Sequence, residues 1–422
     1  MLIQAMANAA VAILIAATTA TAADAVQLSR SAVLEQARHR APELLAELER
    51  AGLAAGALHQ AGLWPYNPEL GLMGGPRIGD DDTSWDYGIA LSQRLPLSGR
   101  RSAAIALARA NLDTTRASIA ERSRAVLLEA ALRHLDAVRA QEHVVLSQAA
   151  VDLADRIGTV IERRRAAGDA DDLDANVATI ALARSRAALR RAAAEAAASR
   201  AQLAALLGIP PKTPVTILGS LQWESPGKSQ AQDAVARRPE LARLLAERRS
   251  AEAAEQVAAV RAGIDPTLSL SYEREEDQDI VHFGLGLELP LANRGQGDRA
   301  AARASARLAS RRHEAERQRI VGEIAAAIER AQALNAAAAD FREAILPRLK
   351  TNERLTDLAF RSGSLSFSEV LSQQREVLAA RAELLALDYQ AATAAAEATA
   401  AAALPPFTTD LESATPQPKD HP

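Results

Sequence analysis

The amino-acid sequence is written twice, and that repetition limits the fold more than any other feature. Arg40-Ala41-Pro42-Glu43-Leu44 returns as Arg237-Arg238-Pro239-Glu240-Leu241, and Asn67-Pro68-Glu69-Leu70 returns as Asp265-Pro266-Thr267-Leu268. Leu95-Pro96-Leu97 returns as Leu289-Pro290-Leu291, followed both times by glycine, arginine and a run rich in Ala and Arg. The shifts from Pro42 to Pro239, Pro68 to Pro266, Gly88 to Gly284, Pro96 to Pro290 and Gly168 to Gly363 are 197, 198, 196, 194 and 195 residues. A nearly constant offset over such landmarks signals one structural unit, almost half the chain long, repeated in tandem.

Each unit reads as helix, strand pair, very long helix, tight turn and helix. The first helix is expected from about Ser31 to Gly62, and its counterpart from about Gln230 to Gly263. The long helix is expected from about Arg100 to Ala167, where no proline intervenes and glycine occurs once, at Gly158. Its partner, from about Arg299 to Arg361, contains Pro347, which is expected to kink or break it. Ile105, Leu112, Ile119 and Val126 recur every seven residues, as do Leu146, Leu153 and Val160. A sustained heptad means helices that supercoil around neighbours. At about 1.5 Å per residue such a helix is on the order of 100 Å long. Composition agrees: 48% of the residues are hydrophobic but only 3% aromatic, because alanine supplies much of the apolar share. Alanine favours helix and fills little space, which suits long helices packed closely.

The strand pairs carry the functional signal. Val281, Phe283, Leu285, Leu287 and Leu289 alternate with His282, Gly284, Gly286 and Glu288; Leu268, Leu270 and Tyr272 alternate with Ser269 and Ser271. In the first unit Trp85, Tyr87, Ile89 and Leu91 alternate with Asp86, Gly88, Ala90 and Ser92, and Leu70 and Leu72 head the fourth strand. Alternation of this length fits strands that cross a membrane with one face to lipid and one to a lumen. Prolines bracket each pair where strand gives way to helix: Pro68 with Pro96, and Pro266 with Pro290. The scarce aromatics Trp64, Tyr66, Trp85, Tyr87, Tyr272 and Phe283 gather here, and such rings favour the membrane–water boundary. Four strands cannot close a barrel, and lipid does not tolerate an open sheet edge. Several copies must therefore share one barrel, and three copies would supply twelve strands.

The remaining signals mostly exclude. A net charge of −4 gives no electrostatic reason to expect nucleic acid. The chain has no cysteine, and its seven histidines show no metal-ligand spacing. Neither a Gly-rich phosphate loop nor a Ser/His/Asp motif is present, so no enzyme reading finds support. Residues 1–22 read as a signal peptide without the usual positive start. The first repeat then takes 23–207 with its hairpin over 66–96, and 208–229 join the repeats as an equatorial segment expected to wrap the helices together with the C-terminal residues. The second repeat takes 230–403 with its hairpin over 266–290, and 404–422 form a proline-rich tail expected to be disordered.

The duplicated Pro-Glu-Leu starts, the two hairpins and the Leu-Pro-Leu exits with Ser98-Gly99-Arg100 and Asn293-Arg294-Gly295 are similar to the TolC family of outer membrane efflux proteins. Ala61-Gly62-Leu63, and Gln93 ahead of the first exit, resemble its heavy-metal branch of the cobalt–zinc–cadmium resistance type. The resemblance implies a mainly α fold with a small β part: a trimeric twelve-stranded outer-membrane β-barrel on a periplasmic α-helical barrel. It implies a passive channel without a cofactor, partnered by outer-membrane lipid, a periplasmic adaptor and an inner-membrane pump of the resistance–nodulation–division class. It places the turns at Gly168, Asp169, Gly363 and Ser364 against the adaptor, and Glu369 at the pore constriction. Asp171, Asp172 and Asp174 would add acidic charge at that mouth, or simply stabilise a helix N-terminus. Phe360 and Leu365 replace the tyrosine and arginine of the family's gate latch, and Ser372 stands where a second acid often sits. An outer component for type I protein secretion would share the fold, and a soluble coiled-coil rod would share the helices. The transported substrate stays open.

Overall fold

A computed structural model of the chain describes residues 25–78, 83–168, 171–227, 233–275, 278–361, 364–365 and 367–408. The expected signal peptide and the stretch 409–422 lie outside them. Strand β1 (Val26–Leu28) leads into helices α1 (Arg30–Arg40) and α2 (Pro42–Gly62). Strands β2 (Glu69–Ile78) and β3 (Thr83–Arg94) follow, then α3 (Arg100–Ala167), α4 (Asp172–Leu206) and the short β4 (Val215–Ile217). The second half repeats the order with α5 (Pro239–Val260), β5 (Thr267–Glu275), β6 (Gln278–Gly286), α6 (Gln296–Arg361) and α7 (Phe367–Ala401). The fold is mainly α with a small β part, as expected.

Local chemistry explains the boundaries. The expected first helix is two helices, because proline disfavours helical backbone at the residue before it. Ala41 accordingly adopts ψ 121° ahead of Pro42. The second repeat does the same: Arg238 is extended ahead of Pro239, so α5 begins later than the expected Gln230. Pro347 does not break α6, which runs through it to Arg361. Only the one N–H is lost there, and the carbonyl of Pro347 accepts the Thr351 hydroxyl at 3.0 Å. Strand β6 ends at Gly286, short of the expected Leu289. Its neighbour β5 starts at Thr267 opposite Gly286, after Pro266, so Leu287 onward has no partner strand among the described residues.

The chain divides into two compact units. One gathers the chain up to Leu45 with Ser123–Ala234 and Glu323–Thr408. Its interior is largely alanine on helix faces, including Ala130, Ala131, Ala392, Ala395, Ala396 and Ala398, among which Leu127, Leu135 and Leu203 are fully buried. Small side chains let helix backbones approach closely, and packing is then achieved with little bulk. The Tyr389 hydroxyl donates to Asp136 at 2.6 Å; burial and that bond push its pKa up to about 12.

Across this unit runs a belt in which the segment joining the repeats lies with the chain's early and late residues. β1 and β4 pair in parallel, with Val26 facing Val215. Trp223 stacks on Phe407 at 5.8 Å and donates its indole N–H to the Thr399 hydroxyl at 3.2 Å. Arg38 donates to the carbonyl of Pro406 at 3.0 Å. Residues 404–408, expected to begin a disordered tail, are therefore packed, and Phe407 is 1% exposed.

The other unit comprises Ala46–Arg122 and Val235–Gly322. Its strands form one antiparallel sheet in the order β2-β3-β5-β6, so β3–β5 pairing joins the two repeats. Leu112 and Ile119 of the heptad are buried here with Leu241, Leu244 and Ile320. Arg243 ties α5 to α3 through Glu121 at 2.5 Å. No helix among the described residues is long and apolar enough to cross a membrane.

His134 of α3 lies in the belt, 1% exposed, with Nε2 3.0 Å from the carbonyl of Leu218. That carbonyl accepts, so Nε2 carries the proton of a neutral ring. Burial, aided by the charge of Arg30, holds its pKa below the ordinary value. Below about pH 6.5 the unfolded chain takes up a proton that the folded chain refuses, so stability falls as pH falls. Thermal midpoints measured from pH 7.5 to 5.5 should drop more steeply for the native protein than for His134→Asn. Parallel slopes would show that His134 is not the group responsible.

Candidate functional site

The four-stranded sheet has two chemically different faces. Registers pair Leu70 with Leu91, Leu72 with Ile89, Leu91 with Leu270 and Leu270 with Phe283, so all of these share one side. Each of them is exposed, as are Leu268, Val281 and Leu285 on the same side. The opposite side carries Glu69, Gly71, Asp86, Gly88, Ser92, Arg94, Ser269, Ser271, Glu273, His282 and Gly284, with Met73, Ala90 and Ile280 as apolar members. Toward the hairpin loops Arg77 bridges Asp86 at 2.9 Å and Glu275 at 2.8 Å on this polar side. Small residues there keep the strands close. A Cβ on Gly284 would lie 2.2 Å from the Ser269 hydroxyl, and one on Gly88 would lie 3.1 Å from the Tyr272 carbonyl.

The expected boundary aromatics separate into two kinds. Trp64, Trp85, Tyr87 and Phe283 are exposed. Trp85 and Tyr87 lie toward the hairpin loop with Tyr272, whose hydroxyl donates to Asp279 at 2.8 Å, whereas Phe283 lies mid-face opposite Leu270. Tyr66 is half-buried and faces inward: its hydroxyl donates to Asp265 at 3.0 Å, and Arg94 lies over its ring at 4.9 Å.

That contact belongs to a junction organised by one carboxylate, which sequence reading did not single out. Asp265 is 1% exposed and accepts the Ser98 N–H at 2.8 Å, with Arg100 3.5 Å away. Burial alone would raise its pKa, but the hydrogen bonds from Ser98 and Tyr66 and the charge of Arg100 hold it below the ordinary value. It thereby fixes the start of the first strand and the start of α3 to the start of β5. The only sequence signal was its place beside Pro266, matching Asn67 beside Pro68. Of the four junction prolines, Pro68 and Pro266 immediately precede strands and Pro96 closely follows β3. Pro290 stands farther out, beyond Leu287, Glu288 and Leu289.

The helical turns lie in the other unit. Gly168 ends α3 with φ 81°, a left-handed conformation that suits glycine, and its N–H donates to the Arg165 carbonyl at 3.0 Å. Asp171 caps α4 by accepting the Asp174 N–H at 2.8 Å, and Asp172 pairs with Arg165 at 3.1 Å. Two of the three clustered acids thus serve the helix terminus, while the Asp174 side chain is half-buried. In the second turn the Ser364 N–H donates to Ala359 at 2.9 Å, and Glu369 is exposed in the first turn of α7. Asp169 and Gly363 lie outside the described residues. Ala175 and Ala178 of α4 pack with Val370 and Leu371 of α7 around Ile157 and Ile161, which brings both acidic helix starts together. Phe360 and Leu365 join this apolar cluster, so the latch positions are filled by packing groups. Beside them opens a cleft of about 710 Å³ lined by Val160, Phe360, Arg156, Arg164 and Arg381. Among the described residues no cluster of side chains could hold a metal ion.

A sequence profile of the family described as outer membrane efflux protein matches residues 33–209 and 231–403, one stretch in each half. The cobalt-zinc-cadmium resistance protein CzcC of Cupriavidus metallidurans is 26% identical over 348 residues, covering 80% of this chain and 82% of that protein. Among solved structures, CusC superposes with a TM-score of 0.73 at 18% identity, covering 88% of this chain and 91% of its own. The outer membrane protein VceC of Vibrio cholerae gives 0.72 at 17% identity, covering 88% and 95%. At such identities the structural likeness speaks for the fold.

Removing the junction carboxylate should loosen the start of both hairpins. Asp265→Ala leaves the Ser98 N–H and the Tyr66 hydroxyl unmet and is expected to cost about 2–3 kcal/mol. Asp265→Asn keeps an acceptor oxygen and should cost less than half of that. Thermal midpoints of the detergent-solubilised protein test the order; equal losses would show that the acceptor oxygen is not what holds the joint.

Proposed function

Because this chain belongs to the outer membrane efflux protein family, we propose that it is the outer-membrane channel subunit of a tripartite efflux system. The sheet carries the argument. One of its faces is apolar and exposed, the other is polar, and its outer strands β2 and β6 each pair on one side only among the described residues. In hydrocarbon every backbone amide and carbonyl needs a partner within protein, so such a sheet must close with copies of itself. Three copies make twelve strands, with the apolar face to lipid and the polar face around a water-filled lumen. The homotrimer's long helices then form a periplasmic tunnel.

The helical turns at Gly168, Asp169, Gly363 and Ser364 are proposed to meet a periplasmic adaptor, which links the tunnel to an inner-membrane pump. Glu369 and Asp174, with Asp171 and Asp172 behind them, are proposed to line the tunnel's narrow mouth. The channel would conduct passively and catalyse nothing. Cations are the favoured cargo on two grounds. The name of the relative CzcC carries cobalt, zinc and cadmium resistance. On the sheet's polar face Glu69, Asp86, Glu273 and Glu275 outnumber Arg77 and Arg94, and a lumen so lined attracts cations.

Two measurements test this. A strain lacking the gene should lose tolerance to cobalt, zinc or cadmium salts; unchanged tolerance to these and to drugs would remove the efflux assignment. In planar bilayers, Glu369→Gln combined with Asp174→Asn should lower the cation-to-anion permeability ratio. An identical ratio would show that these acids do not line the constriction.

A further inference from the structure

The helical unit contains a cleft that passive conduction does not use. It lies among the last part of α3, the last part of α6 and the first part of α7, and encloses about 710 Å³. Clefts that take small molecules run to about 300–1,000 Å³, so the space is of the right order. On α3 its wall is one face of the helix, since Leu153, Arg156, Val160 and Arg164 recur every three or four residues. From Ala149 to Arg164 that wall is about 22 Å long at about 1.5 Å per residue, so the cleft is elongated.

The floor and the rim differ in chemistry. Ile157, Val370 and Val377 line the cleft while being buried, which puts them at its floor. Val160 and Phe360 extend the apolar surface toward the helical turns. The rim is basic. Arg156 is exposed and has neither a hydrogen-bond nor an ion-pair partner among the described residues. Arg164 lies over the Phe360 ring at 5.4 Å, with no carboxylate bound to it among the described residues. Arg381 pairs with Glu353 at 2.6 Å, and Glu353 is the one acid among the lining residues. Three cationic side chains thus share a single anionic one.

We infer that this cleft is a binding site for an amphipathic monoanion, a long-chain carboxylate whose head is held by Arg156 and whose chain lies along the apolar floor. A free guanidinium can take a carboxylate through two parallel N–H bonds, and charge-assisted bonds of this kind are the strong ones. Arg164 stands toward the turns and Arg381 toward the other end, so a cationic headgroup is repelled along the whole length. The walls therefore reject the cations proposed as cargo, and the site serves a different ligand. A polyphosphate fits poorly as well, because the floor offers hydrocarbon where such a ligand needs donors. An elongated apolar floor under a basic rim is complementary to a chain with one charge at its end.

Occupancy has a structural effect. The ligand touches α3, α6 and α7 at once, just above both helical turns, and a group that binds only the folded arrangement stabilises it. It would fasten together the ends of three helices whose mutual packing otherwise rests on small and medium side chains such as Ala175, Ala178 and Val370.

Photolabelling tests the site in the full-length protein held in nanodiscs of zwitterionic phospholipid. A diazirine-bearing dodecanoic acid should label peptides from 149–164 and 353–381. Excess unlabelled dodecanoate should reduce that labelling at least tenfold, whereas dodecan-1-ol and dodecyltrimethylammonium should not. Arg156→Gln should cut it at least tenfold, and Arg156→Lys should retain more of it than Arg156→Gln. Val160→Trp, which fills the cleft and leaves its charges in place, should also abolish it. Circular dichroism and the thermal midpoint of each variant without ligand verify that the fold is kept. Equal competition by the alcohol, or labelling unchanged in Arg156→Gln, would overturn the proposal by showing adsorption to apolar surface alone. Labelling confined to the sheet and absent from these helices would overturn it too, with the cleft then covered by a second copy or closed. Neither of those results touches the channel reading, which rests on the sheet.

Discussion

A strand at the edge of a sheet presents a row of amide and carbonyl groups that must be hydrogen-bonded to something. Water can serve on a soluble protein, but hydrocarbon cannot. In this chain the four strands offer an apolar face to their surroundings and, among the described residues, β2 and β6 each pair on one side only. Those properties are incompatible in a lone chain within lipid, and closure with further copies reconciles them. In the proposed channel the tunnel and the polar lumen follow from that closure, because the long helices begin just beyond the ends of the same strands.

Duplication supplies one kind of joint, the exit of the first repeat on the start of the second. Within a chain it is fastened by a buried carboxylate that gathers Tyr66, Ser98 and Arg100. A buried acid of this kind is held ionised only by its partners, and it in turn specifies their arrangement. The helices use the opposite strategy. Alanine faces pack on alanine faces with few large side chains, so geometry there is set by backbone proximity more than by individual anchors.

The long helix α3 was legible to its ends, Arg100 and Ala167, because 68 residues of periodic sequence without proline leave little competition. The hairpins were legible from alternation, and their prolines marked the junctions. Local effects moved the boundaries: Pro42 and Pro239 started helices where a continuous apolar pattern suggested none. Strand β6 stopped early because a strand needs a partner as well as a pattern. Asp265 was invisible as a site residue, since its role exists only once the two halves meet. The acids at the first turn were visible, but two of them cap and pair at the helix terminus, which spacing alone could not distinguish from a pore lining. The β1–β4 ladder has three-residue strands, too short to carry any periodic signal.

The belt also has a consequence for the order of events in the cell. It brings together the chain's early residues at β1, its middle at β4 and Trp223, and nearly its last described side chain, Phe407. A polypeptide made from its amino end cannot complete this clasp until residues as late as Phe407 have been synthesised. The helical unit therefore acquires its final cross-tie only once Phe407 has been made, after every helix that it ties together.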